Sequence, residues 1–201
     1  MFSREKLAKI RSHPEEALRV GFAVLRGFLV KARYLLNPNV KIGSDFRAYA
    51  WPQIIGPGKV VIGDKVSMHL SFLRRPCILT HTKDAVVTIG NGSSLGGTRI
   101  SCVDSVTIGE EALFGSSTII DSDIIPTEDM VIDAKWKEAH VHPIKIGAHV
   151  WTGTNTFILG GSILGDECVL GTGAVIQYQD VPARSLLVGN PARKIGVTRT
   201  V

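Results

Sequence analysis

From Ile146 to Ile176 the chain repeats every six residues without a slip, with Ile146, Thr152, Ile158, Leu164, Leu170 and Ile176 leading successive hexads. Gly147, Gly153, Gly165 and Gly171 follow four of them, and Val150, Thr156, Ser162, Cys168 and Ala174 stand four places after a leader. An α-helix repeats near 3.6 residues and a half-buried strand near 2, so neither gives this register. A six-residue period with a bulky buried edge and a small inward partner describes one flat wall of a triangular coil. Three walls, roughly eighteen residues, make one turn, and only stacked turns bury what a single turn leaves wet.

Earlier stretches carry the same pattern less cleanly. Ile108, Phe114 and Ile120 lead one set, with Gly109 and Gly115 behind them and Ala112 and Thr118 at the small positions. Ile89-Gly90 and Leu95-Gly96 form another, and Ile62-Gly63 and Ile42-Gly43 read as beginnings of degenerate walls. Atypical terminal turns are expected where a solenoid is capped. The spacing predicts an all-β solenoid over residues 38–181, preceded by a helical extension (1–37) and followed by a tail (182–201).

Within the extension, Ser3 is placed to cap a first helix and Pro14 to start a second, running to about Leu36. In the second, Arg19, Arg26 and Arg33 line one face and Phe22, Leu25, Leu29 and Leu36 another. Four cations between Leu18 and Leu36 argue against a membrane span. The helix therefore packs on the prism or a neighbouring subunit, or lies on an anionic membrane surface. Residues 121–145 leave the hexad as a 25-residue excursion between two registered blocks, where function tends to concentrate.

The formal charge of +5 is moderate, and its cations carry no interleaved aromatics of the kind that read nucleic acid. Cys77, Cys102 and Cys168 show no pairing pattern, and Cys102 and Cys168 fall at inward positions. Nothing in these thiols calls for an oxidising compartment, and the first residues lack the form of a signal peptide, so a cytoplasmic location is expected.

Four stretches resemble the hexapeptide-repeat acyltransferases: VTIGEEALFG at 106–115, IIDSDIIP at 119–126, IKIGAHVWTGTNTFILGGSILGDECVLGTGAVI at 144–176, and DVP followed by GNPARKI ending at Ile195. The likeness is greatest to small O-acetyltransferases acting on sugars and surface polysaccharides. It implies a left-handed parallel β-helix, a homotrimer with clefts between prisms, and acetyl-CoA as acyl donor, with no metal. By the same resemblance Trp151, Gly153 and Thr154 would flank the pantetheine arm, Thr172 and Gly173 would meet its amides, and Arg193 with Lys194 would face phosphate. QYQD at 177–180 is one residue longer than the family's spacing at that turn.

Transfer to a hydroxyl needs a base, and the family keeps a histidine in patterns like Asp-Ser-Asp-Phe-His-Pro. Aligned on Asp121, Ser122, Asp123 and Pro126, this chain has Ile125 there, which accepts no proton. Three readings compete. His140 or His142, in AHVHP of the same excursion, serves as a relocated base; Asp121 or Asp123 acts as base or holds the acceptor; or the chain is a catalytically silent trimeric binding or assembly protein. His149 is expected outward, while His69 and His81 lie in degenerate turns that spacing does not place. HxH alone is a weak metal signal, and the histidine pair of zinc-dependent β-helix enzymes is absent from the hexads.

Overall fold

The computed structural model describes residues 14–71, 74–127 and 129–198. The expected first helix, with its cap at Ser3, lies outside the described residues. The strands are short and fall in rotation into three sheets, pairing in parallel with the strand three further along the chain up to Ser185–Gly189. Sheet A runs from Val40–Ile42 to Asp180–Val181, sheet B from Arg47–Ala48 to Ser185–Gly189, and sheet C from Gln53–Ile55 to Val175–Ile176. This is the triangular coil that the hexads require.

Each sheet contributes one ladder to the core. On sheet A, Ile42, Ile62, Ile89, Ile108, Ile146, Leu164 and Val181 stand in register. Ala48, Met68, Leu95, Phe114, Thr152, Leu170 and Leu187 do so on sheet B. Ile54, Ile78, Ile100, Ile119, Ile158 and Ile176 do so on sheet C. The hexad leaders therefore point inward from the ends of strands rather than occupying corners. The small residues, from Val150 to Ala174, tuck fully buried beneath the bends.

Stacked bends leave little room. A Cβ on Gly109 would sit 2.5 Å from the Gly147 carbonyl carbon of the next turn, so the A-to-B corner column of glycines is a packing requirement. Side chains also tie corner to corner: Asp64 accepts from the Ser44 amide at 2.6 Å, and Asp166 from the Ala148 amide at 2.8 Å.

Helix α1, Pro14–Tyr34, closes the first turn by packing on the strand Arg47–Ala48. Its packed face is narrow, made of Ala23, Gly27 and Val30, with Val30 joining the prism core. Arg26 donates to the carbonyls of Ala48 and Tyr49, and Lys31 to that of Gly43. These are carbonyls of the terminal turn, for which a further turn would otherwise supply partners. Leu25, Leu29 and Leu36 are exposed, and so is Phe22, at the mouth of a cleft that Tyr49, His69 and Leu70 also line.

At the other end, Ser185–Gly189 extends sheet B and Ala192–Val197 folds back on it antiparallel. The excursion departs after Thr118–Ile120 on sheet C and returns at Ile144–Ile146 on sheet A. It holds helix α2, Ala134–His140, capped by Asp133, whose carboxylate accepts from the Trp136 amide at 2.7 Å. A bridge between Ser122 and Val141 pins its two ends together.

Candidate functional site

The C-to-A edge of the prism carries the excursion, and its two stems bring Asp123 and His142 face to face. The His142 amide donates to the Asp121 carbonyl at 2.7 Å, and the Asp123 amide to the His140 carbonyl at 2.9 Å. On that frame His142 Nε2 stands 3.4 Å from Asp123 Oδ2. The next corner of the same edge adds Tyr178, whose hydroxyl donates to Asp123 Oδ1 at 2.7 Å, and Gln177, whose amide nitrogen reaches it at 3.4 Å. The His142 and Tyr178 rings meet edge to face, with centroids 4.8 Å apart.

Two glycines make this cluster possible. A Cβ on Gly161 would lie 2.6 Å from the Tyr178 ring, and one on Gly160 would lie 3.2 Å from the His142 Cβ. Tyr178 itself has φ of 50°, at the corner whose spacing is one residue longer than the family's. Desolvation, and after it donation to the Asp123 carboxylate, pushes the Tyr178 phenol up to about 12, so it stays protonated and a donor. Asp123, facing Nε2, orients the imidazole and leaves Nδ1 as the nitrogen able to accept a proton. The result is a partly exposed imidazole held by a carboxylate that itself accepts from two donors.

His140 turns elsewhere: its ring packs on Trp136 of the same helix, with centroids 5.1 Å apart. Asp121 has no surface role. It is fully buried, and its carboxylate accepts from the Val103 and Asp104 amides, both at 2.8 Å, and from the Cys102 thiol at 3.4 Å. An acceptor cannot reach it; it fastens the corner of the preceding turn. Ile125 is 54% exposed on the excursion.

The residues assigned to the acyl donor lie around the adjoining wall. Trp151 is 54% exposed on sheet B, in register with Leu113 and Val169. Gly153, Thr154, Thr172 and Gly173 form the B-to-C corner, where the Gly173 amide donates to the Thr154 carbonyl at 2.9 Å. Gly173 has φ of 72° and open space where a Cβ would be, so its backbone is approachable. Arg193 and Lys194 are exposed on the last strand of the same wall. The candidate base His142 thus occupies one edge, and the donor-binding candidates occupy a wall and a different edge.

Sequence reasoning missed Tyr178 and Gln177 as members of the site, although the lengthened QYQD turn was the available signal. It also missed the pair His81 Nε2 and Ser101 Oγ, 2.8 Å apart beside the same edge. His69 stacks on Tyr49 at the other end of the molecule, with ring centroids 4.3 Å apart, and His149 faces Glu111 at 3.5 Å on the surface. Among the described residues, no group of three or more His, Cys, Asp or Glu is disposed to hold a metal ion.

Residues 143–177 match the family model described as bacterial transferase hexapeptide (six repeats). An Escherichia coli K12 protein provisionally named a lipopolysaccharide biosynthesis O-acetyl transferase, WbbJ, is 30% identical over 106 residues, covering 48% of this chain and 53% of that protein. A Schizosaccharomyces pombe protein provisionally named an acetyltransferase is 31% identical over 93 residues, covering 45% of this chain and 42% of its own length. The chain thus spans about half the length of these relatives. Among solved structures, AntD, an N-acyltransferase from Bacillus cereus in complex with dTDP and 3-hydroxybutyryl-CoA, superposes with a TM-score of 0.61 at 18% identity, covering 84% of this chain and 88% of that one. The polySia specific acetyltransferase NeuO does so with a TM-score of 0.54 at 22% identity, covering 81% and 85%. At these identities the structural likeness speaks for the fold alone. The unbroken hexads and the family match coincide over the clean coils, so residues 143–177 carry the repeat of the bacterial transferase hexapeptide family.

Proposed function

We propose that the chain is a coenzyme A-dependent O-acyltransferase, moving an acetyl group to a hydroxyl of a saccharide or surface-glycan precursor. The coil would be left-handed, the working unit a cytoplasmic homotrimer. The observation that carries this reading is the Asp123 carboxylate shared between His142 and Tyr178, which supplies a base where Ile125 leaves none. Support comes from a relative whose name describes O-acetyl transfer in lipopolysaccharide biosynthesis, from a structural neighbour named a polySia specific acetyltransferase, and from a neighbour solved in complex with an acyl-CoA.

The residues present fit such a donor. Exposed Trp151 offers an apolar face to a pantetheine arm, the corner at Thr172 and Gly173 offers backbone groups to its amides, and Arg193 with Lys194 offers cations to phosphate. When bound, acetyl-CoA supplies an acyl group activated as a thioester. The chain's own part is proton handling: His142 Nδ1 takes the acceptor's hydroxyl proton as its oxygen attacks, then returns it to the departing sulfur. Asp123 stabilises the imidazolium between those events, and Tyr178 holds Asp123 in place. Because base and donor candidates lie on different edges, adjacent copies would complete one another's sites in a cyclic assembly.

The test is thiol release from acetyl-CoA with a panel of sugar and glycan acceptors. His142→Ala is expected to lower kcat by about 10²–10⁴-fold, and Asp123→Asn by a smaller factor. His140→Ala is expected to leave it near wild type. Activity that rises only with Ile125→His would rule out the relocated base.

A further inference from the structure

We infer that the outer face of α1 is a docking surface for a lipid bilayer carrying anionic headgroups. Leu18, Phe22, Leu25 and Leu29 form a stripe opposite the packed residues Ala23, Gly27 and Val30, and they are 63%, 61%, 56% and 46% exposed. Phe28, 68% exposed, widens the stripe, and Leu35 and Leu36 continue it just past the helix end at 81% and 93%. Pro14, Ala17, Leu18, Gly21, Phe22 and Leu25 line an apolar groove along the helix, about 580 Å³ in volume. An apolar face this wide is the pattern of a helix lying in a membrane interface.

Charge decides between a bilayer and another helix. The cations are unevenly distributed along the chain. Residues 1–44 hold nine Lys and Arg against three Asp and Glu, whereas the remainder holds fourteen against fifteen. The whole positive excess therefore belongs to the segment that contains α1, and no acidic residue occurs between Glu16 and Asp45. Arg19 and Arg33 are exposed along one flank of the apolar stripe, with Arg26 between them bound to the prism. A second copy of the helix would offer only Glu15 and Glu16, both in its first turn, to an arginine row that runs from Arg19 to Arg33. Anionic headgroups pair with it directly while the stripe enters the acyl boundary. Among the described residues no helix is long and apolar enough to cross a membrane, so α1 would lie along the surface.

The experiment is flotation of the full-length protein with vesicles of pure phosphatidylcholine and of phosphatidylcholine with about 30% phosphatidylglycerol. Wild type is expected to partition at least tenfold more strongly to the anionic vesicles, with binding that falls as salt rises. The combined variant Phe22→Ser, Leu25→Ser and Leu29→Ser alters exposed side chains and leaves the packed residues Ala23, Gly27 and Val30 in place. It is expected to keep its melting transition and to lose at least tenfold in partition. Wild type that stays unbound at low salt, or a triple variant that floats like wild type, overturns the proposal. So does a variant whose oligomeric mass changes in lipid-free solution, which would identify the face as a subunit contact.

Discussion

Asp121 and Asp123 stand two residues apart and meet opposite environments. Asp121 is sealed under the corner, and desolvation raises its pKa even though the Asp104 and Val103 amides pull it down. Truncation would strand those two donors in the interior, so Asp121→Ala should cost about 2–4 kcal/mol of stability, read from urea denaturation. Asp123→Ala, at a partly exposed site, should cost much less. The sequence presents these two carboxylates as equivalents, because a corner has no hydrophobic alternation from which to tell inside from outside. Their fates are set by the amides of the preceding turn, whose register emerges only on stacking. His140 and His142 are separated the same way. Both lie in AHVHP, but one ends α2 and packs on Trp136, while the other has entered the stem that faces Asp123. Tyr178 was hidden for a different reason: its contact with Asp123 spans 55 residues and depends on a corner conformation that a motif does not encode.

Among the elements, the clean coils were fully legible because Ile146 and Leu164 pair at a spacing of eighteen residues. The early coils were not, since Ile62 pairs with Ile89 across twenty-seven. Extra residues at their corners break the period while leaving the inner ladder intact, so walls that read as degenerate are regular in space. Helix α1 was legible as amphipathic, but not in its orientation. The terminal turn's open carbonyls draw Arg26 and Lys31 inward, and close approach selects Gly27, where a Cβ would lie 2.1 Å from the Phe46 carbonyl oxygen. Gly27→Ala should therefore lower stability by about 1–3 kcal/mol despite its better helix propensity, as thermal melts would show. The same end carries a pH dependence. Burial, assisted by Arg19, holds His69 below its ordinary 6.5, and burial does the same for His81. Below pH 6.5 the unfolded chain then binds more protons than the folded one, so stability falls as pH drops through that window. His69→Gln should flatten part of the slope between pH 7 and 5 in melts; an unchanged slope would remove His69 from the account.

At the scale of the whole molecule, the prism separates its tasks by position. The first turn carries α1 with its arginine row, the C-to-A edge carries the candidate base His142, and sheet B with its far corner carries the groups suited to an acyl donor. That layout is why one chain presents every expected residue without gathering them into one cavity, and why the proposed unit is an assembly in which adjoining copies share a site. The central claim is that His142, held by Asp123 and Tyr178, does the work for which Ile125 is unfit. Its most direct test is kcat for acetyl-CoA-dependent acetylation of the best acceptor, compared between wild type and His142→Ala at matched fold and oligomeric mass. A loss of about 10²–10⁴-fold, with coenzyme A binding retained, is the predicted result. Undiminished turnover by His142→Ala would contradict it.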